Sequence, residues 1–187
     1  MAELDAKRVK ACIKEGGKKG IDLNGTQALG GVSFFNISMD EAAGELVYLE
    51  KTMEGSNLEV DESAEERKGG AGDIGKVYLS AGVETLAVIG HLPAALAEEK
   101  SIKLSAWMSA VLKPAGYTVG TKKGECVIAE GDFVKAVIVQ DKDAGVFPLK
   151  LRDEMISAGV AFLRENSLLP ADDGSDSDDY VDDTEWQ

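Results

Sequence analysis

The sequence predicts an α/β (α+β) domain with a mixed or antiparallel sheet of about five strands and helices packed mainly on one face. Helical and extended segments follow one another in the order α-β-α-β-β-α-β-β-α, and this mixture of hairpins and crossovers favours such a sheet. Hydrophobic residues make up 44% of the 187 residues, which suffices for the core of one domain at this length.

The first part of the chain is predicted as a helix, a loop and a strand. Residues 3–15 form a short basic helix that Gly16 and Gly17 end, and the Gly-rich residues 24–31 form a loop. Aromatic and β-branched residues predict a strand over 32–38.

A second helix is predicted after this strand, because Ser38 and Glu41 have the spacing of a capping box. Its apolar face has helical periodicity and comprises Ala42, Leu46, Leu49 and Met53. Residues 55–75 are polar, charged and rich in glycine. A loop of about twenty residues inside a domain is usually functional or disordered.

The rest of the chain adds strands in pairs, each pair followed by helix. Four strands are predicted, at 76–80, 84–92, 125–130 and 133–140. A short turn at Ala81 and Gly82 joins the first two into a hairpin. A helical stretch begins at Pro93, and a last helix spans 149–166. Their apolar faces comprise Leu104, Trp107, Met108 and Val111, then Ile156, Val160 and Leu163.

Charge is distributed unevenly along the chain. The formal net charge is −14, from 34 acids and 20 bases. Eight of the acids and none of the bases lie in residues 171–187, so residues 1–170 carry a net charge of −6. Residues 1–20 carry six bases and three acids. The chain therefore divides into three parts: a basic N-terminal helix with a Gly-rich lead-in (1–30), a globular domain with its long polar loop (31–170), and an acidic tail (171–187). The tail is predicted to be disordered, because dense acids repel one another and bury little surface.

The cysteines and the charged N-terminal residues favour a cytoplasmic protein. Cys12 and Cys126 are far apart and have no metal-ligand spacing, so neither a disulfide framework nor a zinc site is expected. Residues 1–5 lack the apolar run of a signal peptide, and the longest apolar stretch, 86–92, is too short to cross a bilayer. We expect no membrane contact.

No catalytic constellation or cofactor motif is predicted. Residues 70–77 approach a P-loop, but Val77 stands where that motif needs Ser or Thr, and a strand follows in place of a helix. His91 is the single histidine, which rules out a His-rich metal site, and its place at the end of an apolar strand favours a packed residue over a catalytic base. The sequence favours a non-catalytic protein without a cofactor and leaves an enzyme of unrecognised type open.

Two sets of residues are candidates for binding. Cations in or beside Gly-containing loops suit an anion such as a nucleic-acid backbone. These are Arg67, Lys68, Lys113, Lys122 and Lys123. Acidic and aromatic residues of the tail either keep the protein soluble or dock onto a basic protein partner. These are Asp178, Asp179, Tyr180 and Trp186.

The segment 86–107, LAVIGHLPAALAEEKSIKLSAW, belongs to a strand–helix–hairpin–helix order that spans residues 31–116. In sequence and element order this stretch resembles the C-terminal (C-Ala) domain of alanyl-tRNA synthetases, whose final helix would correspond to 149–166. The Gly-rich signature of that family is missing after Gly116, where this chain has YTVGTKKGEC. The resemblance implies a free-standing, non-catalytic module that binds the outer corner of tRNA and can form a homodimer.

Two functions are therefore expected as alternatives. The first is an RNA-binding or translation-associated module that uses its basic N-terminal segment and lysine-bearing loops to bind tRNA or ribosomal RNA. The second is an acidic-tailed protein-interaction or chaperone-like adaptor that docks on a basic protein partner.

Overall fold

Five helices and five strands make up the part of the chain that the computed structural model describes, residues 3–119 and 127–170. The helices are α1 Ala6–Gly30, α2 Leu46–Asn57, α3 Ala94–Lys100, α4 Leu104–Leu112 and α5 Pro148–Glu165. The strands are β1 Phe34–Ser38, β2 Gly75–Ala81, β3 Thr85–His91, β4 Val127–Glu130 and β5 Phe133–Val139. A single 3-10 turn, Lys113–Ala115, follows α4 directly.

The five strands form one mixed sheet in the order β1-β2-β3-β5-β4. β1 runs parallel to β2, and all other neighbours are antiparallel. The β2–β3 hairpin pairs Tyr78 with Ile89, and its turn is closed by a hydrogen bond from the Gly82 amide to the Thr85 carbonyl at 2.8 Å. The predicted class, an α+β fold on a five-stranded mixed sheet, is confirmed.

Helices cover both faces of this sheet, whereas the sequence predicted them mainly on one. Val77 and Val88 belong to the core formed with α4 and α5, while their neighbours Tyr78 and Ile89 belong to the core formed with α1 and α2. Successive side chains of a strand point to opposite faces. Because both sets are buried in β2 and β3, each face of these central strands requires a helical cover.

The first helix does not end at Gly16 and Gly17, as the sequence predicted. α1 continues through both glycines and through the predicted loop at 24–31, and it ends at Gly31, which has a left-handed φ of 68°. Gly16, Gly17 and Gly20 are buried, so the intrinsic helix-breaking tendency of glycine is outweighed by tertiary packing.

The second helix begins later than the capping-box spacing predicted. Ser38 remains in β1, where it pairs with Leu79. A turn follows in which Ala43 and Gly44 have positive φ values of 45° and 82°, and α2 starts only at Leu46. The long polar loop is shortened because α2 runs to Asn57, and within the loop Ala71 and Ile74 are fully buried.

Candidate functional site

The position of α1 is determined by its close approach to α2. A Cβ added at Gly16 would overlap the carbonyl group of Thr52, and a Cβ added at Gly55 would overlap the carbonyl of Ile13. At Gly20 an added Cβ would lie 2.6 Å from the Gly69 carbonyl oxygen. Glycine alone permits such backbone contact. The glycine side of α1 therefore faces α2, and the opposite side of the helix faces solvent.

Four exposed lysines occupy that solvent-facing side of α1. An α-helix turns by about 100° per residue, so residues at spacings of 3, 7 and 11 share a face, here an arc of roughly 80° that extends about 17 Å along the axis. We call this set the lysine face; its members are Lys7, Lys10, Lys14 and Lys18.

The other two bases of α1 are engaged within the domain. The Arg8 guanidinium lies 2.5 Å from a Glu45 carboxylate oxygen, donates to the Ala42 carbonyl at 2.6 Å, and stacks 3.9 Å from the centre of the Tyr48 ring. Lys19 pairs with Asp22 at 3.9 Å. Arg8 thereby ties α1 to the start of α2.

The lysine face, in contrast, takes part in no ion pair among the described residues, although Glu15 and Glu41 line a surface hollow together with Lys14 and Lys18. Within residues 3–119 and 127–170, none of its four ammonium groups lies within ion-pair distance of a carboxylate. Their cationic charge is therefore available to an external anion.

One acid beside the lysine face has a structural partner. The Glu15 carboxylate accepts hydrogen bonds from the backbone amides of Asp40 at 2.8 Å and Glu41 at 3.3 Å, which holds the 40–44 turn against α1. Burial raises the pKa of Glu15 above its usual value, although these two hydrogen bonds oppose the shift. Lys14 and Lys18 form one wall of a surface hollow of about 360 Å³ above this carboxylate.

Of the candidate cations chosen from the sequence, the three that the structure describes do not lie together. Lys68 lies beside α1, because its Cβ would be 3.1 Å from a Cβ added at Gly17, and it pairs with Glu66 at 3.6 Å. Arg67 is exposed in the same loop. Lys113 belongs to the 3-10 turn, which packs on α5 at the opposite face of the sheet.

The remaining candidates chosen from the sequence lie outside the described residues. These are Lys122 and Lys123 and, in the acidic tail, Asp178, Asp179, Tyr180 and Trp186.

The sequence contained a signal for the lysine face that the prediction did not use. The spacing of Lys7, Lys10, Lys14 and Lys18 is helical, but it places all four on one face only if the helix continues past Gly16 and Gly17. A helix that ends at Gly16 leaves Lys18 outside it, so the predicted helix indicates only a basic segment and no shared face.

A buried lysine and histidine form a second polar cluster. The Lys76 amine donates to the carbonyls of Ala71 at 2.6 Å and Ile74 at 3.1 Å, and it lies 3.1 Å from His91 Nδ1. Burial lowers the pKa of Lys76 to about 7, and burial together with the Lys76 charge lowers the pKa of His91 to about 4. When its ring proton is on Nε2, neutral His91 accepts a hydrogen bond from the Lys76 amine through Nδ1.

This cluster holds the 70–75 loop in place. Lys76 is 0% exposed, and its amine binds carbonyl groups of the 70–75 loop where the amine of a P-loop lysine would face phosphate. The His91 ring stacks on Phe133 with centroids 4.5 Å apart. Lys76 thus connects the 70–75 loop to β2, and its contact with His91 connects both to β3.

A cavity of about 300 Å³ lies between α2 and strands β3 and β5. Its apolar wall comprises Met53, Ile89 and Phe133. Glu50 and Glu54 line the cavity with a single cation, Lys135. The Lys135 amine is already paired with Glu50 at 2.8 Å and Glu130 at 3.3 Å. Glu50 in particular raises the pKa of Lys135. This cavity is a poorer site for a phosphate than the lysine face.

Comparison with known proteins adds no assignment. A scan against protein-family models found no match, and a search of curated proteins found none either. Throughout the two described ranges, no helix is both long enough and apolar enough to span a bilayer. In the same ranges, no three His, Cys, Asp or Glu side chains are grouped so as to hold a metal ion.

Proposed function

We propose that the protein is a non-catalytic RNA-binding module that holds a structured RNA, such as tRNA or ribosomal RNA, by its phosphate backbone. The observation that carries this proposal is the lysine face of α1, with four exposed cations on one side of a rigid helix and no carboxylate paired to any of them among the described residues. The resemblance to the C-Ala domain of alanyl-tRNA synthetases supports the same class of ligand.

Phosphate is the ligand that such a surface suits best. A lysine ammonium is a compact charge on a flexible stem, so it follows a phosphate backbone without reading base edges. A row about 17 Å long covers several consecutive phosphates. We therefore expect binding that depends strongly on salt and weakly on sequence.

The charge of the rest of the molecule confines this contact to one region. Residues 1–170 carry a net charge of −6, which repels RNA from most of the surface. The glycine contact with α2 turns the lysines outward, and Arg8 fixes the helix by its bonds to Glu45 and Ala42. The lysine face is thus a local cationic strip on an acidic protein.

The test is a titration of an unmodified tRNA transcript at several salt concentrations. Log affinity should fall linearly with log salt, by about 0.7–0.9 per phosphate neutralised. Changing the four lysines of the lysine face together to Gln should therefore reduce the slope by roughly 3 units. Fluorescence anisotropy of labelled tRNA gives both affinity and slope.

A matched control changes the same amount of charge elsewhere. Four exposed lysines outside α1 are changed to Gln, namely Lys100, Lys103, Lys142 and Lys150. This variant should keep a slope close to that of the unchanged protein. Equal losses in both variants would contradict a localised site, and no tRNA binding at about 50 mM salt would leave the acidic-tailed adaptor as the better hypothesis.

A further inference from the structure

The chain carries its own polyanion. Eight acids and no base lie in residues 171–187, and the lysine face is the part of the described surface that has four cations and no paired acid. Tail carboxylates and RNA phosphates carry the same charge and accept hydrogen bonds from the same ammonium groups.

The tail is long enough to reach α1. The described chain ends at Pro170, after Leu168 and Leu169 have packed against the core on the α4–α5 face. Seventeen residues extend to at most about 55–60 Å, at roughly 3.3–3.6 Å per residue. A domain of this size has a radius of gyration of about 15 Å, so the tail can pass round the sheet to the opposite face.

Covalent attachment favours this contact over contact with free anions. A segment tethered to the same domain is present at its target at an effective concentration of about 1 mM or more. Each exposed ion pair is weak and is screened by salt, but the tail offers two carboxylates for every lysine of the face. Such a contact forms and dissociates readily, as a competitor must.

We infer that the acidic tail, residues 171–187, occupies the lysine face of α1 when RNA is absent and has to be displaced before RNA binds. The contact itself is independent of the proposed function, whereas the competition rests on it. The tail would then inhibit RNA binding, and only polyanions of higher charge density than the tail would displace it from the lysine face.

The contact is tested first without RNA, on the full-length chain. A water-soluble carbodiimide joins a carboxylate to an amine in direct contact, and mass spectrometry locates the bonds. At about 20 mM salt, where screening is weak, tail carboxylates should be joined mainly to Lys7, Lys10, Lys14 and Lys18. The bonds should become several-fold fewer at about 0.5 M salt. Bonds spread evenly over Lys100, Lys103, Lys142 and Lys150 as well, or none at all, would overturn the inference.

Competition is tested with a full-length variant in which every tail acid is changed to Asn or Gln, including Asp178→Asn and Asp179→Asn. Its affinity for the tRNA transcript at about 50 mM salt should rise five- to tenfold. The gain should vanish when the lysine face is also changed to Gln.

The outcomes separate the two proposals. Cross-links at the lysine face without tRNA binding in either variant would refute RNA binding and keep the tail contact. Lysine-dependent tRNA binding that the tail variant leaves unchanged would refute the inference and keep the function.

Discussion

The two faces of the sheet are packed by different means. On the α4–α5 face, large apolar side chains such as Trp107, Met108 and Met155 fill the space and are fully buried. On the α1–α2 face, glycines bring two helix backbones into contact, and the buried set includes the polar residues Lys76 and His91. The α4–α5 face is packed by large apolar side chains, whereas the α1–α2 face combines an apolar core with direct backbone contact between two helices.

This difference bears on function, because the lysine face belongs to the glycine-packed helix. Helices that meet through glycine approach closely and leave little freedom for rotation about their axes. The rotation of α1 decides whether its lysines point outward together, so the glycine contact determines the geometry of the proposed RNA site. Among the described residues, Lys113 is the candidate cation that lies on the α4–α5 face.

The largest effect is expected from Gly16→Ala. The new Cβ would overlap the Thr52 carbonyl oxygen and lie 2.7 Å from its carbonyl carbon. Neither atom belongs to a flexible side chain, so one helix must move. We expect a loss of at least about 3 kcal/mol in the free energy of unfolding, measured by urea denaturation.

Gly25→Ala is the matched control in the same helix. An added Cβ at Gly25 meets no atom within 4 Å. Alanine should therefore stabilise the helix by about 0.5–1 kcal/mol, through its better helix propensity. A loss of under about 1 kcal/mol at Gly16 would mean that the α1–α2 contact is looser than the structure has it.

The second prediction compares neighbours on α5. Met155 is fully buried, whereas Ile156, which the sequence placed on the apolar face, is only half-buried. Met155→Ala should cost about 2–4 kcal/mol and Ile156→Ala about 1 kcal/mol, because the cost follows the volume removed from a closed core. Urea denaturation of both variants measures the difference. Equal losses would show that α5 is rotated by part of a turn.

The features that were predictable from sequence are those that side chains encode. The β2–β3 hairpin gives two continuous apolar runs joined by a turn, β5 alternates with period 2, and the apolar faces of α4 and α5 have period 3.6. The continuation of α1 through Gly16 and Gly17 produces no such pattern, because a buried glycine contributes no hydrophobic signal and the sequence pattern resembles a helix end. A pair of glycines inside a helix contact and a pair at a helix end look alike in sequence and differ only in their tertiary partners.

The candidate site was recognised in part for the same reason. The basic character of residues 1–20 followed from composition, but the arrangement of Lys7, Lys10, Lys14 and Lys18 on one face required a continuous helix. Lys68 and Lys113 were grouped because both lie near glycines in the sequence, and the sheet separates them in space. Proximity across a sheet depends on the crossover connections, which local patterns do not specify.

The last prediction concerns acid stability, and its expected effect, which arises on the α1–α2 face through His91, is smaller than that of Gly16→Ala. His91 is 7% exposed, and its pKa is lowered to about 4 from an ordinary value of 6.5, chiefly by burial. Between these two pH values the unfolded chain binds a proton that the folded chain does not, so stability falls as the pH decreases from 6.5 to 4. The shift corresponds to a loss of about 2–3 kcal/mol.

His91→Gln isolates this contribution, because glutamine keeps an acceptor for the Lys76 amine and does not titrate. Urea denaturation at pH 6.5 and pH 4 measures the loss of stability in both proteins. Burial raises the pKa of the Glu15 carboxyl, but this group and the other carboxyls are common to both proteins, so their contribution cancels in the difference. The variant should lose about 2 kcal/mol less than the unchanged chain over this interval. Identical losses would mean that His91 is protonated as easily in the folded state as in water, which its contact with a buried ammonium opposes.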